Sequence, residues 1–168
     1  MSVYLPLFNA LNEAQVQYVV VGGLATVLHG YARMTADVDL VINLEQGEAQ
    51  KAVSALLTLG LKPRLPVDPM QFANAEIRAG WIKDKHMLVF SFYDPANPLR
   101  IVDLFVHEPI PYEDLSRRAI SMNIDGTFVP VCDIADLIEL KRRAARPRDL
   151  DDIQHLEELL RTRKLHDE

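Results

Sequence analysis

Two aspartates lie inside one of the most apolar runs of the chain, in "TADVDLVI" (residues 35–42). Side chains alternate across a strand, so Asp37 and Asp39 share one face while Val38, Leu40 and Ile42 point to the other. The two acids are then about 7 Å apart at the backbone and repel each other unless a cation lies between them. This pattern predicts a strand with a buried apolar face and an acidic face. A strand edge or a turn is the alternative interpretation of the pair.

A third acid stands in a similar setting. In "RIVDLFV" (residues 100–106), Asp103 is the lone acid of a strand whose other face carries Val102, Leu104 and Val106. If this strand lies beside residues 36–43, three carboxylates meet on one face of the sheet. Carboxylate oxygens are the ligands that Mg²⁺ prefers, and such a set can hold two ions. We therefore expect Asp37, Asp39 and Asp103 to bind Mg²⁺, with Mn²⁺ as the alternative ion.

A glycine pair precedes the acids. Residues 18–21 read as a short buried strand that ends at Gly22 and Gly23, and a helix then runs to His29. Glycines at such a junction let backbone N–H groups approach a phosphate, although a plain tight turn explains them equally well. Arg33 and Thr35, in the loop before the acids, could contact a triphosphate or could simply be exposed.

The remaining pattern predicts a mixed α/β fold. Helices are expected over 4–14, 45–59, 112–117, 133–145 and 147–163, with a short one ending near Arg78. Strands over 87–93 and 100–106 should form an antiparallel hairpin around "DPANP", and a second hairpin should turn at Asp125-Gly126. The length of 168 residues suits one domain over residues 1–168, with a core at about 15–131 and C-terminal helices at 132–164.

Charge is unevenly distributed. The net charge is −6, yet residues 141–164 carry eight Lys or Arg against five Asp or Glu. Such a run is usually a solvated helix surface, and contact with a phosphate-bearing ligand is the alternative. No apolar stretch approaches the roughly 20 residues that span a bilayer, and no export signal is visible. Cys132 has no cysteine to pair with, so we expect a cytoplasmic protein without membrane contact.

Helical periodicity directs two charged residues inward. Lys141 falls on the apolar stripe that contains Ile134 and Leu137, and Asp149 falls near Ile153 and Leu156. The two can pair with each other. Alternatively, Lys141 contacts a nucleotide phosphate and Asp149 orients that lysine or the ribose. Asp149 is also compatible with a first-turn acid favoured by the helix dipole.

Weaker candidates fit structural roles better. His29, His86 and His107 lack paired zinc spacing and read as boundary residues. Phe72 and Trp81 could stack on a base, but core packing is the better interpretation.

Together these motifs resemble the nucleotidyltransferase superfamily with the DNA polymerase beta-like fold. The matching string is an apolar strand, Gly22-Gly23, 13 intervening residues, then Asp37-Val38-Asp39-Leu40. "GGLATVLHGYARMTADVDLVI", Asp103 in "IVDLFV" and "LIELKRRAARPRDLDDIQHL" are similar to the branch of AbiEii-type toxins and small bacterial nucleotidyltransferases.

The resemblance implies the minimal nucleotidyltransferase fold, a short mixed β-sheet flanked by helices with a C-terminal helical pair. It implies transfer of an NMP from an NTP to an acceptor hydroxyl on RNA or tRNA, on a partner protein or on a small molecule, and a place in a toxin–antitoxin system. Asp37, Asp39 and Asp103 would be catalytic metal ligands. Gly22, Gly23, Arg33, Thr35, Lys141 and Asp149 would bind the nucleotide. The alternative is a non-catalytic nucleotide-binding or protein-interaction module that retains the fold.

Overall fold

The computed structural model describes residues 2–166 and places a mixed sheet at the centre of the chain. Within that range the sheet has seven strands in the order β3-β4-β5-β2-β1-β7-β6. The strands are β1 (Tyr18–Val21), β2 (Asp37–Ile42), β3 (Lys62–Pro63), β4 (Val89–Asp94), β5 (Asn97–Phe105), β6 (Ile120–Ile124) and β7 (Thr127–Val131). The expected short mixed β-sheet is confirmed.

Helices cover the apolar surface of this sheet. Those described are α1 (Leu5–Glu13), α2 (Gly22–Leu28), α3 (Gln46–Thr58), α4 (Ala75–Lys85), α5 (Tyr112–Arg118), α6 (Ile134–Ala144) and α7 (Pro147–His166). The C-terminal pair is confirmed, with α6 packed against both α2 and α7. No helix in the described range is long and apolar enough to cross a membrane.

The alternation predicted for β2 is present. Val38, Leu40 and Ile42 are almost fully buried, whereas Asp37 and Asp39 on the other face remain partly accessible. Every residue of β1 is buried because helices and strands enclose this central strand. The buried apolar residues of β1 and β2 therefore fix the position of the strand that carries Asp37 and Asp39.

The predicted end of a helix near Arg78 is wrong. A 3-10 turn over Pro69–Ala73 precedes α4, which continues to Lys85. Asn74 caps α4 by accepting hydrogen bonds from the N–H groups of Glu76 and Ile77. The buried positions on α4 are only Arg78 and Trp81, and so short an apolar face gives a weak periodic signal.

Two further details differ from expectation. Residues 62 and 63, in the proline-rich link, form an edge strand beside β4. The β4–β5 ladder also continues closer to its turn than "DPANP" suggests, because Asp94 pairs with Asn97 across Pro95 and Ala96. The other hairpin turns at Asp125-Gly126 as expected, with φ of 48° and 92°. The assignment of residues 1–168 to one domain stays a prediction, which a single cooperative unfolding transition would support.

Candidate functional site

The register of the central strands brings two of the acids side by side. β2 and β5 are parallel neighbours, with Asp39 opposite Asp103 and Asp37 opposite Ile101. Since residues in register on adjacent strands point to the same face, Asp37, Asp39 and Asp103 share one face, here called the carboxylate face. The expectation that the two acidic strands are adjacent is confirmed.

On the carboxylate face the neighbouring acids outweigh the positive charges, which come from Arg146 for Asp39 and from Arg64 for Asp103. Burial, followed by the negative charges of Asp103 and Asp37, raises the pKa of Asp39 to about 6. Burial also raises the pKa of Asp103, against a hydrogen bond from Ser91 that acts in the opposite direction. Oδ1 of Asp103 is buried without a hydrogen-bond partner. Like charges that the protein leaves unpaired favour a bound cation.

The glycine pair packs against these acids. Gly22 has a φ of +66°, and a Cβ placed there would overlap the Asp39 carboxylate. The Gly23 N–H acts on that carboxylate in the direction that lowers its pKa. A Cβ on Gly23 would collide with Arg33 and Thr35. Glycine at position 22 therefore lets the backbone approach Asp39, and glycine at position 23 leaves room for the side chains of Arg33 and Thr35.

Lys141 and Asp149 point inward as their periodicity predicts. They are not each other's main partner, because Lys141 pairs with Asp152 and Asp149 pairs with Arg146. Lys141 Nζ donates to Asp152 Oδ2 at 2.6 Å, whereas its distance to Asp149 Oδ1 is 3.8 Å. Asp149 Oδ2 accepts hydrogen bonds from the backbone N–H and the side chain of Arg146, both at 3.0 Å. Burial alone would raise the pKa of Asp149, but the hydrogen bonds and charge of Arg146 outweigh it and lower that pKa.

Asp152 is the residue that sequence reasoning missed. Its carboxylate lies 3.2 Å from Arg33 Nη1 as well as 2.6 Å from Lys141, so it joins the loop before β2 to the C-terminal helices. Tyr31 strengthens the same junction by stacking on His155 and donating to Asp151 at 2.6 Å. The available signal was spacing, because Asp152 lies three residues after Asp149 on one helical face. We call Arg33, Lys141, Arg146, Asp149 and Asp152 the helical ion cluster.

A cavity of about 560 Å³ lies between the carboxylate face and α6. Four of the candidate site residues line it: Gly22, Asp39, Asp103 and Lys141. Arg146 also lines it, whereas Gly23, Arg33, Thr35, Asp37 and Asp149 do not. Acidic and basic side chains thus line one cavity.

The carboxylate oxygens of the carboxylate face suit Mg²⁺, although they do not form a complete metal-binding site. Carboxylate oxygens are hard ligands, and Asp103 offers a buried oxygen without a partner. Within residues 2–166, however, no three His, Cys, Asp or Glu side chains converge closely enough to hold a metal ion.

The fold and the site together define a nucleotidyltransferase-like α/β protein, and the comparisons agree. The family described as nucleotidyl transferase AbiEii toxin of the type IV toxin–antitoxin system matches residues 7–167. The chain belongs to this family and is a nucleotidyltransferase. Comparison with curated proteins by sequence gives no match.

Solved structures share the fold at low sequence identity. An antigenic nucleotidyltransferase-like protein from Paracoccidioides brasiliensis is 18% identical with a TM-score of 0.60, and the match covers 96% of this chain and 75% of that one. ANT(2'')-Ia, solved with adenylyl-2''-tobramycin, is 13% identical with a TM-score of 0.59 and coverages of 98% and 91%. The lincomycin-bound lincosamide adenylyltransferase LnuA is 14% identical with a TM-score of 0.59 and coverages of 91% and 93%.

Proposed function

We propose that the chain transfers an NMP from an NTP to an acceptor hydroxyl in a Mg²⁺-dependent reaction that releases pyrophosphate. The observation that carries the proposal is the in-register pair Asp39 and Asp103 beside Gly22, in one cavity with Lys141. Family membership supplies the transferase class. The metal, the residue roles and the acceptor belong to the proposal.

Asp37, Asp39 and Asp103 would hold the metal. When bound there, Mg²⁺ would neutralise the carboxylates and polarise phosphate oxygens. Asp103 also accepts the proton of the acceptor hydroxyl, a general-base role that carboxylates commonly perform. The Gly23 N–H acts on the Asp39 carboxylate in the direction that lowers its pKa. Catalysis of this kind consists largely of positioning and charge stabilisation.

Backbone and cationic groups would bind the triphosphate. Gly22 and Gly23 allow close approach of the backbone, and this matters more than the dipole of α2, which has seven residues. Lys141 lines the cavity and balances the phosphate charge, while Arg33 and Thr35 pack on Gly23. Asp152 holds Lys141 and Arg33 together, and Asp149 holds Arg146. We assign these two carboxylates to positioning.

The acceptor is proposed from the family, because the surface charge does not select it. Three arginines of the basic run are engaged, Arg142 with Glu157, Arg143 with Glu139 and Arg146 with Asp149. Such pairing weakens the electrostatic case for RNA. A hydroxyl of RNA in a toxin–antitoxin context remains the first acceptor to test, followed by a partner protein and a small molecule. We place the reaction in the cytoplasm, where NTPs are available.

The experiment is label transfer. Purified protein is incubated with Mg²⁺ and each α-³²P-labelled NTP, together with total RNA, lysate protein or hydroxyl-bearing antibiotics. Label should appear in one acceptor class, require Mg²⁺ and vanish with Asp39→Asn. The turn variant Asp125→Asn makes the same chemical change outside the site and should remain active.

One observation favours the alternative of a non-catalytic nucleotide-binding module, namely that no three ligand side chains converge within the described residues. This alternative predicts no transfer with any NTP and no metal-dependent shift in thermal unfolding. Transfer that depends on Asp39 and Mg²⁺ would exclude it.

A further inference from the structure

Part of the cavity lining has no role in phosphoryl transfer. Besides its charged and polar residues, the cavity is lined by eight apolar residues: Val21, Leu88, Val89, Phe105, Pro109, Leu137, Leu140 and Ala144. Its volume falls in the range of pockets that bind small organic ligands, which are typically apolar with a few polar groups. A metal ion and a triphosphate need no such surface.

Leu88 shows that this apolar lining is open rather than packed. It lines the cavity with 64% of its surface exposed, although it directly precedes β4. One exposed leucine is ordinary on a protein surface, but an apolar surface shared by several side chains in a groove commonly marks a ligand site. Leu99 on β5 is similarly exposed, at 77%, but lies outside the cavity lining.

His107 supplies a polar group at the same place. The Val106 N–H bonds to the Leu88 carbonyl, so the ladder continues past β5. Asp103, Phe105 and His107 all line the same cavity. The His107 ring meets Phe105 edge-to-face, with 6.4 Å between ring centroids, and His107 lines the cavity.

The surroundings of the ring indicate its tautomer. His107 Nδ1 is buried without a hydrogen-bond partner. A buried N–H without an acceptor is rarer in proteins than an acceptor that lacks a donor. His107 Nε2 is therefore the ring nitrogen that can carry a proton and donate a hydrogen bond to a ligand in the cavity.

We propose that this half of the cavity is the nucleobase subsite, with the base lying on Phe105, Leu88 and Leu140 and accepting a hydrogen bond from His107 Nε2. The inference rests on the proposed function. A base rather than an acceptor is assigned because the same cavity contains Gly22 and Lys141, which the proposed function assigns to the triphosphate of one NTP. An acceptor that reaches Asp103 is the competing occupant, and it would leave analogue binding unchanged in both Leu88→Ser and His107→Phe. All bases have an apolar ring face and acceptor atoms on their edges.

Binding of non-transferable ligands tests the proposal. The probes are the α,β-methylene analogues of the four NTPs and inorganic tripolyphosphate, each titrated calorimetrically with Mg²⁺ present. Leu88→Ser and His107→Phe should weaken the tightest-binding analogue about five- to tenfold. Both variants should bind tripolyphosphate as the wild type does, because they leave the phosphate groups intact.

Two matched variants sharpen the result. His107→Gln retains an N–H near the position of Nε2 and should bind the analogue within about threefold of the wild type. Leu99→Ser makes the same change as Leu88→Ser outside the cavity and should have no effect. Thermal unfolding of each variant checks that the fold is retained.

Three results would overturn the proposal. Unchanged analogue binding by both Leu88→Ser and His107→Phe would remove the nucleobase subsite and leave the proposed function standing. Equal weakening of analogue and tripolyphosphate would assign these residues to phosphate binding or to structure. If the wild type binds neither probe, both the subsite and the proposed function fail.

Discussion

The carboxylate face and the helical ion cluster both bring charged side chains out of water, but the protein compensates them in opposite ways. In the helical ion cluster each buried carboxylate has a basic partner, with contacts from 2.6 to 3.2 Å. On the carboxylate face the largest charge effects on Asp39 come from other acids. Each region has one buried carboxylate oxygen without a hydrogen-bond partner, Oδ1 of Asp103 and Oδ1 of Asp149, so the difference lies in the neighbouring charges. Salt bridges within the chain compensate the first arrangement, whereas the second favours a bound cation.

The largest effect is expected from a substitution that removes one acid from the carboxylate face. Asp39→Asn should reduce NMP transfer by about three orders of magnitude, because it removes a metal ligand and its charge. Labelled-NTP transfer measures the rate, and Asp125→Asn is the matched control. Near-normal turnover by Asp39→Asn would show that the carboxylate face is not the catalytic centre.

Breaking the helical ion cluster should instead damage the fold. Lys141→Met leaves Asp152 and Asp149 without their shared ammonium group and should lower the free energy of unfolding by about 3 kcal/mol. Urea denaturation measures this loss. Lys51→Met removes a surface lysine that pairs with Glu48 at 2.8 Å, and should cost less than about 1 kcal/mol.

A double variant then separates stability from activity. Lys141→Met with Asp152→Asn removes the uncompensated charge and should recover part of the stability but none of the transfer activity. Full recovery of activity would show that Lys141 acts only through folding.

The pH dependence of stability should carry the signature of the carboxylate face. The pKa of Asp39 is raised from 3.8 to about 6, so between these values the folded state binds more protons than the unfolded state. Stability from this group is therefore present at low pH and lost as pH rises through 6. With a chelator present, the free energy of unfolding of the wild type minus that of Asp39→Asn should fall by about 2 kcal/mol between pH 4 and pH 7. A difference independent of pH would mean that burial and the neighbouring acids do not perturb the Asp39 carboxyl.

The smallest expected effect on stability concerns the glycine beside the acids. Gly22→Ala should cost about 1 kcal/mol through its positive φ, and it should also displace Asp39 and reduce transfer. Gly60→Ala is the matched control, because Gly60 has a φ of +83° with no atoms near its added Cβ. It should share the loss of stability and keep full activity. Equal activities for the two variants would show that Gly22 is needed only for its turn.

Local sequence determined the elements that hold the site. Alternation in "TADVDLVI" separated Asp37 and Asp39 from their buried neighbours, and helical periodicity placed Lys141 and Asp149 inward. These features depend on residues a few positions apart, where the geometry of a strand or helix is nearly constant. A helix with a short apolar face, such as α4, escaped the same reasoning.

Only the tertiary structure decided which distant groups meet. The register that sets Asp39 opposite Asp103 joins residues 64 positions apart, and Asp152 rather than Asp149 became the main partner of Lys141 because of how α7 packs on α6. The cavity that joins Gly22, His107 and Arg146 likewise exists only between packed elements. Chain-local patterns encode which way a side chain points. The neighbour it meets depends on strand order and helix packing, which the whole core determines together.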